Sequence, residues 1–167
     1  MRNHRLASLV LLLTAAGAAW ALKVGDPAPK LMIKPLNRDG DAYDLVKSTN
    51  GSCGVVFVNP LKADDENVVK MISLIEVIHR AVDKPDKPSG AALVFVASHE
   101  LDNNVKEFIT QAKLTMPVAV VPADELKDWE LPDPLKCIFY STEDTKIERI
   151  YTDADKMEAD LKKEAGN

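Results

Sequence analysis

Two hydrophobic periods alternate along this chain. Val55–Val58, Ala91–Ala97 and Pro117–Val121 are short apolar runs, rich in β-branched residues and without alternation. That pattern suits strands buried on both faces of a sheet. After the first run the period changes. Val68, Val69, Met71, Ile72, Leu74, Ile75, Ile78 and Val82 recur at three- and four-residue spacing, while Lys70, Ser73, Glu76, His79 and Arg80 take the other side. The spacing predicts an amphipathic helix of about four turns with His79 on its polar surface. Asp64 or Asp65 is its natural N-cap, and Glu66 complements the positive end of the helix. Asp83 to Gly90, with Pro85 and Pro88, ends it in a loop.

Ser98 or Asp102 can cap a second helix, whose apolar face is Val105, Phe108, Ile109 and Ala112. Ala123–Trp129 reads as a short helical turn closed by Leu131-Pro132-Asp133-Pro134. Leu135–Tyr140 and Lys146–Tyr151 form a hairpin around Glu143-Asp144-Thr145, and a last helix runs from about Asp153 to Lys163 with Met157 and Leu161 inward. Ahead of all these, Gly25-Asp26-Pro27-Ala28-Pro29 forces extended or turn backbone. Leu31–Ile33 and Ala42–Val46 can pair around the turn Asn37-Arg38-Asp39-Gly40, with Tyr43 and Leu45 on one face. The order is β-α-β-α-β-(α)-β-β-α. Crossovers of this length imply parallel central strands, and the closing hairpin makes the sheet mixed. The fold class is α/β: a three-layer, thioredoxin-like arrangement with a mixed central sheet between helices and an N-terminal β-hairpin extension.

The chain has 167 residues, 46% hydrophobic and 28% charged, which is one ordinary globular domain rather than a disordered chain. Residues 1–21 stand apart. Arg2, His4 and Arg5 form a basic start, Leu6–Ala18 is almost wholly apolar, and Ala19-Trp20-Ala21 offers small residues at the positions a signal peptidase reads. These are the parts of a secretory signal peptide, so residues 22–167 form the expected domain of an exported protein, periplasmic or secreted. The plainer alternative is an uncleaved anchor, for which the apolar stretch is short. Cleavage would remove two arginines and no acid, moving the net charge from −5 to −7. An acidic body without basic clusters argues against nucleic acid and against anionic membrane surfaces. The partner expected is a protein of the cell envelope, and no cofactor is expected.

The chain resembles the peroxiredoxin and thioredoxin-like redoxin superfamily. The resemblance rests on Gly25-Asp26-Pro27-Ala28-Pro29, on Asn37-Arg38-Asp39-Gly40 followed by Leu45, on Val56-Phe57-Val58-Asn59-Pro60-Leu61, and on the order of Pro117–Val121, Ile138-Phe139-Tyr140 and Lys146-Ile147. Peroxiredoxins resembling this stretch carry Pro-x-x-x-Thr-x-x-Cys at the strand-to-helix corner, with a nearby arginine. Laid from Pro60, the resemblance puts Asp64 at the threonine position, Asn67 at the cysteine position and Lys136 at the arginine position. The Cys-x-x-Cys of thioredoxins is also missing, since residues 59–67 contain no cysteine. Asp64, Asp65 and Glu66 would raise a thiol pKa there in any case.

Cys53 and Cys137 remain. Each reads most simply as a small buried apolar side chain. Cys53 lies at the end of its strand away from the helix N-terminus, and the two cysteines fall several residues out of register, too far for a disulfide. His99, at the same sheet edge as Asp64–Asn67, could join Asp64, Asp65, Glu66 and Asp102 around a hard cation or zinc, but helix caps and a solvated loop histidine explain the same residues. The leading expectation is therefore a degenerate redox site serving as a binding or scaffold module, through Asn59, Pro60, Asp64, Asp65, Asn67 and the loop before Lys136. The alternative is a thiol peroxidase or thiol-disulfide oxidoreductase using Cys53 or Cys137.

Overall fold

A computed structural model describes residues 22–48, 53–83, 90–131, 135–141 and 143–166, with the backbone alone for Cys53. Residues 1–21, expected to be a signal peptide, and the loop 132–134 ahead of Lys136 lie outside the described residues. Strands β1 (Met32–Ile33) and β2 (Tyr43–Asp44) form a two-stranded antiparallel pair, followed by helix α1 (Leu45–Ser48). Then come β3 (Cys53–Val58), α2 (Glu66–Val82), β4 (Ala92–Val96), α3 (Asp102–Ala112), β5 (Val118–Val121), a 3-10 stretch Ala123–Trp129, β6 (Leu135–Tyr140), β7 (Ile147–Tyr151) and α4 (Ala154–Ala165).

The main sheet runs β5-β4-β3-β6-β7. β3, β4 and β5 are parallel, and β6 and β7 join antiparallel. Stepping β3→β4→β5 in one direction puts both crossover helices on the same face, where α4 joins them. Val56, Val58, Leu93, Phe95, Val118 and Val120 point to that side and pack with Met71, Ile75, Val105, Ile109 and Met157. The alternate residues Val55, Phe57, Val94, Ala119 and Ile138 point to the other layer, built from β1, β2, α1 and the 123–129 turn. There Trp129 is wholly buried, with its ring centroid 5.1 Å from that of Phe57 and its Nε1 donating to Lys30 O at 3.2 Å. The sheet is thus buried on both faces, as its unalternating apolar runs require.

Two expectations are corrected. The return strand Ala42–Val46 is only Tyr43–Asp44, and Leu45 and Val46 start a helical turn. Asp44 causes the switch: its Oδ1 accepts from Val46 N at 3.2 Å and from Leu31 N at 3.3 Å, a local bond that competes with the ladder. The larger correction concerns α2. His79 is only 2% exposed and Glu76 7%, whereas Val69 and Val82, read as inward, are 46% and 50% exposed. The helix period was sound, but the supposed polar face is covered from a distance in sequence. Arg38 and the 115–116 segment close over it.

Gly54 shows how tightly the helix seats on β3. A Cβ there would lie 3.0 Å from Ile75 Cδ1 and 3.0 Å from Phe139 Cε1.

Candidate functional site

β3 delivers the chain to the corner at its carboxyl end, where parallel sheets commonly place their sites. Asn59 stops the strand. Its Oδ1 accepts from Leu61 N at 3.0 Å, and Pro60 opens a 3-10 turn, Pro60–Lys62. Proline fits there because its missing N–H is an orphan at a helical start anyway. Leu61 is thrown out of this turn and is 88% exposed. Asp65 then caps α2, accepting from Asn67 N at 3.0 Å and Val68 N at 3.4 Å. Asp64, Asp65 and Glu66 are all exposed.

Asn67 has a different task. Its Nδ2 donates to Thr152 O at 3.1 Å, and its Oδ1 accepts from Ala154 N at 2.7 Å. Both ends of the amide are therefore committed to the start of α4. Beside it lies an open cleft of about 510 Å³ lined by Asp65, Glu66, Asn67, Lys70, Asp153 and Asp155. Lys70 bridges Asp155 and, at 2.6 Å, Glu158. The hydrogen bond to Asp155, then that to Glu158, raise the Lys70 pKa. Lys162 and Lys70 together pull Glu158 down to about 2.

Lys136 does not join this corner. It stands opposite Phe57, whose side chain belongs to the layer away from α2, and its Nζ donates to Glu130 O at 2.6 Å. Burial lowers its pKa, and the Glu130 charge partly offsets that. His99 emerges after β4, is 63% exposed and lies 3.5 Å from Asp102 Oδ1. Among the described residues no three His, Cys, Asp or Glu side chains are grouped to hold a metal, so His99 is not brought together with Asp64 and Asp65.

Cys137 is wholly buried on the α2 side of β6 and pairs with Val56, while Cys53 pairs with Tyr140. The two are three residues out of register, about 10 Å along the strands, beyond the roughly 7 Å that a disulfide spans between Cα atoms. A thiol sealed in apolar surroundings is inert toward solutes.

The polar cluster that the helix period concealed sits at the other end of α2. The Glu76 carboxylate accepts from Thr115 Oγ1 at 2.6 Å, Thr115 N at 3.0 Å, Met116 N at 3.1 Å and Arg80 Nε at 2.7 Å. Burial works to raise its pKa, but these donors outweigh burial and leave it lowered. Arg38 Nη2 lies 3.3 Å from His79 Nε2 and donates to Thr115 O at 2.8 Å. Asn37 pairs with the same segment, its Nδ2 on Met116 O and its Oδ1 under Val118 N. The cluster fastens the N-terminal hairpin, α2 and β5 together. It is structural, and it lies away from the corner.

Similar architecture recurs among solved structures. A thiol:disulfide interchange protein from Bacteroides sp. aligns at a TM-score of 0.64 with 20% identity, over 86% of this chain and 90% of its own. The thioredoxin domain of a thiol-disulfide oxidoreductase from Bacteroides vulgatus aligns at 0.61 with 19% identity, over 85% and 97%. The fold is thioredoxin-like. A secreted thiol-disulfide isomerase from Corynebacterium glutamicum shares this thioredoxin-like fold at 0.60 with 11% identity, over 76% of each chain. No family model and no curated protein matches. The thioredoxin-like fold accounts for the central β3 with its corner, the parallel β4 and β5 and the antiparallel β6-β7 pair.

Proposed function

We propose that this protein is an exported thioredoxin-fold module whose redox site is degenerate and whose strand-to-helix corner holds a protein partner in the cell envelope. The observation that carries the reading is the state of Asn67. It stands where the resemblance to peroxiredoxins puts the nucleophile, and its amide is used at both ends to join α2 to α4. The corner keeps the shape of a site without its chemistry. Leu61, 88% exposed between Pro60 and the acidic run Asp64–Glu66, supplies an apolar anchor with a charged rim, the composition of a small binding patch. In this reading Asn59, Pro60, Asp64 and Asp65 shape the patch. Export is supported by the basic and apolar segment 1–21 and by the likeness to a secreted protein. Among the described residues no helix is long and apolar enough to cross a membrane.

The second reading, a thiol-disulfide oxidoreductase or thiol peroxidase using Cys53 or Cys137, is favoured by the thiol-disulfide activities for which the structural neighbours are named. Fold alone does not carry activity. The burial of Cys137 and the three-residue offset argue against it. The experiment is the intact mass of the reduced protein before and after brief, near-stoichiometric peroxide. An unchanged mass is expected. A rapid shift to a sulfenic acid or disulfide mass, abolished by Cys53→Ser or Cys137→Ser, overturns the degenerate reading in favour of the thiol enzyme.

A further inference from the structure

The outward face of α2 is unusual for a helix that caps a sheet. Apart from Ala81 and Val82 at its C-terminal end, its exposed residues are Glu66, Val69, Ser73, Val77 and Arg80, with Val69 46% and Val77 66% exposed. At 3.6 residues per turn all five lie within about 40° of the direction of Ser73. They are also symmetric about it. The valines sit four residues to either side, and the opposite charges Glu66 and Arg80 sit seven residues to either side, about 10 Å along the axis. The stripe borders an apolar groove of about 280 Å³ whose far wall is Phe108, Ala112 and Leu114.

From this symmetry we propose that the α2 face is a two-fold interface with a second copy of this chain, the two helices crossing antiparallel at Ser73. A two-fold contact requires a patch that complements itself, with each residue meeting its counterpart's partner. Antiparallel crossing at Ser73 does this. Val69 of each copy meets Val77 of the other over the groove, and Glu66 of each meets Arg80 of the other. A parallel crossing would set Glu66 against Glu66 and Arg80 against Arg80. The central residue is small enough for close approach, and its hydroxyl donates to Val69 O at 2.8 Å, so it needs no water when covered. Arg80 uses Nε on Glu76 and Nη2 on Lys113 O, which fixes the guanidinium while leaving it 56% exposed with further donors. This surface meets the corner described above at Glu66, but Val69, Ser73, Val77 and Arg80 lie outside that corner, and the proposal does not rest on the corner's function.

The test is sedimentation equilibrium of the full chain across the micromolar range, with circular dichroism to check folding. A dimer is expected. Val77→Asp and Ser73→Arg, both at exposed positions, should each leave a folded monomer. Glu66→Lys should weaken the dimer roughly tenfold by turning both symmetric pairs repulsive. Glu66→Arg combined with Arg80→Glu should restore it, because an antiparallel crossing keeps complementarity when the two signs are exchanged. Because Arg80→Glu also breaks the bond to Glu76, the double variant is compared with Arg80→Glu alone. A wild-type monomer up to the high micromolar range overturns the proposal. So does a dimer that persists in Val77→Asp and Ser73→Arg, and a failed rescue overturns the antiparallel arrangement.

Discussion

Glu76 is the residue whose replacement would speak most clearly about what holds this fold together. It is 7% exposed and accepts four hydrogen bonds, from Thr115 Oγ1, Thr115 N, Met116 N and Arg80 Nε. Glu76→Gln keeps the shape but removes the charge, and it turns one acceptor oxygen into an NH₂ that must face a donor. Hydrogen bonds to a charged group contribute about 1.5–3 kcal/mol each against about 0.5–1.5 for neutral ones, and a buried donor left unmet costs about 1–3. Some of the four bonds survive on the remaining oxygen, so the net loss should be about 3 kcal/mol. For a domain of this size that corresponds to a fall of about 6–12 °C in Tm. Urea unfolding of both proteins at neutral pH measures it, as a lower midpoint at unchanged slope. The carboxylate's lowered pKa adds a sign. Its contribution is present above its ordinary, unfolded value and is lost as pH falls through the lower folded one. The difference between wild type and Glu76→Gln should therefore shrink in strong acid. A loss below about 1 kcal/mol at neutral pH would refute the reasoning, because that is the cost of disturbing a solvated surface carboxylate.

Three further outcomes are expected. Burial lowers the His79 pKa, the Asp83 charge opposes that, and the Arg38 guanidinium, which can only donate, adds to it. The unfolded chain therefore takes the proton first. Stability should be full above about pH 6.5 and fall as pH drops below it, with His79→Gln flattening that slope in urea titrations between pH 7.5 and 5.5. Asn67→Ala removes the two bonds that join α2 to Thr152 and Ala154, and should cost about 2 kcal/mol, or about 4–8 °C in Tm, without changing thiol reactivity. Gly54→Ala pushes a methyl into Ile75 and Phe139 at 3.0 Å and should cost about 1–3 kcal/mol; an unchanged denaturation midpoint would show that the α2–β3 seam has room to give.

Much of the architecture was legible because it is written in local periods. Val55–Val58, Ala92–Val96 and Val118–Val121 can only be strands covered on both faces, and the switch to three- and four-residue spacing after Asp65 can only be a helix returning over them. The cap of α2 was legible for the same reason, since Asp65 bonds N–H groups within three residues of itself, whereas Ser98 caps a 3-10 turn ahead of α3, and the α3 N-cap, Leu101, makes no side-chain cap bond. The N-terminal return strand was misread at Asp44, where a carboxylate bonding two residues onward competes with a ladder bond. Composition does not announce which of the two wins.

The site was less legible, for a physical reason that α2 makes plain. Period assigns a residue to a face of a helix, but what covers that face comes from elsewhere in the chain. Glu76 and His79 share a side with Arg80, so polarity pointed them to water. Arg38, 41 residues upstream of His79, and Thr115, 39 residues downstream of Glu76, bury them instead. The converse holds for Val69 and Val77. Apolar character pointed Val69 inward, yet Val69 is 46% and Val77 66% exposed, with nothing among the described residues covering them. At the corner, the sequence showed that no cysteine stands in residues 59–67, but not that Asn67 had been given other work. A side chain holding Thr152 O and Ala154 N is 85 or more residues from what it binds, and such bonds have no local signature. Those two bonds give the proposed degenerate site a structural meaning. A cysteine placed at position 67 would have to give up the seam between α2 and α4, so gaining a thiol and keeping the fold's stability are opposed at this one residue.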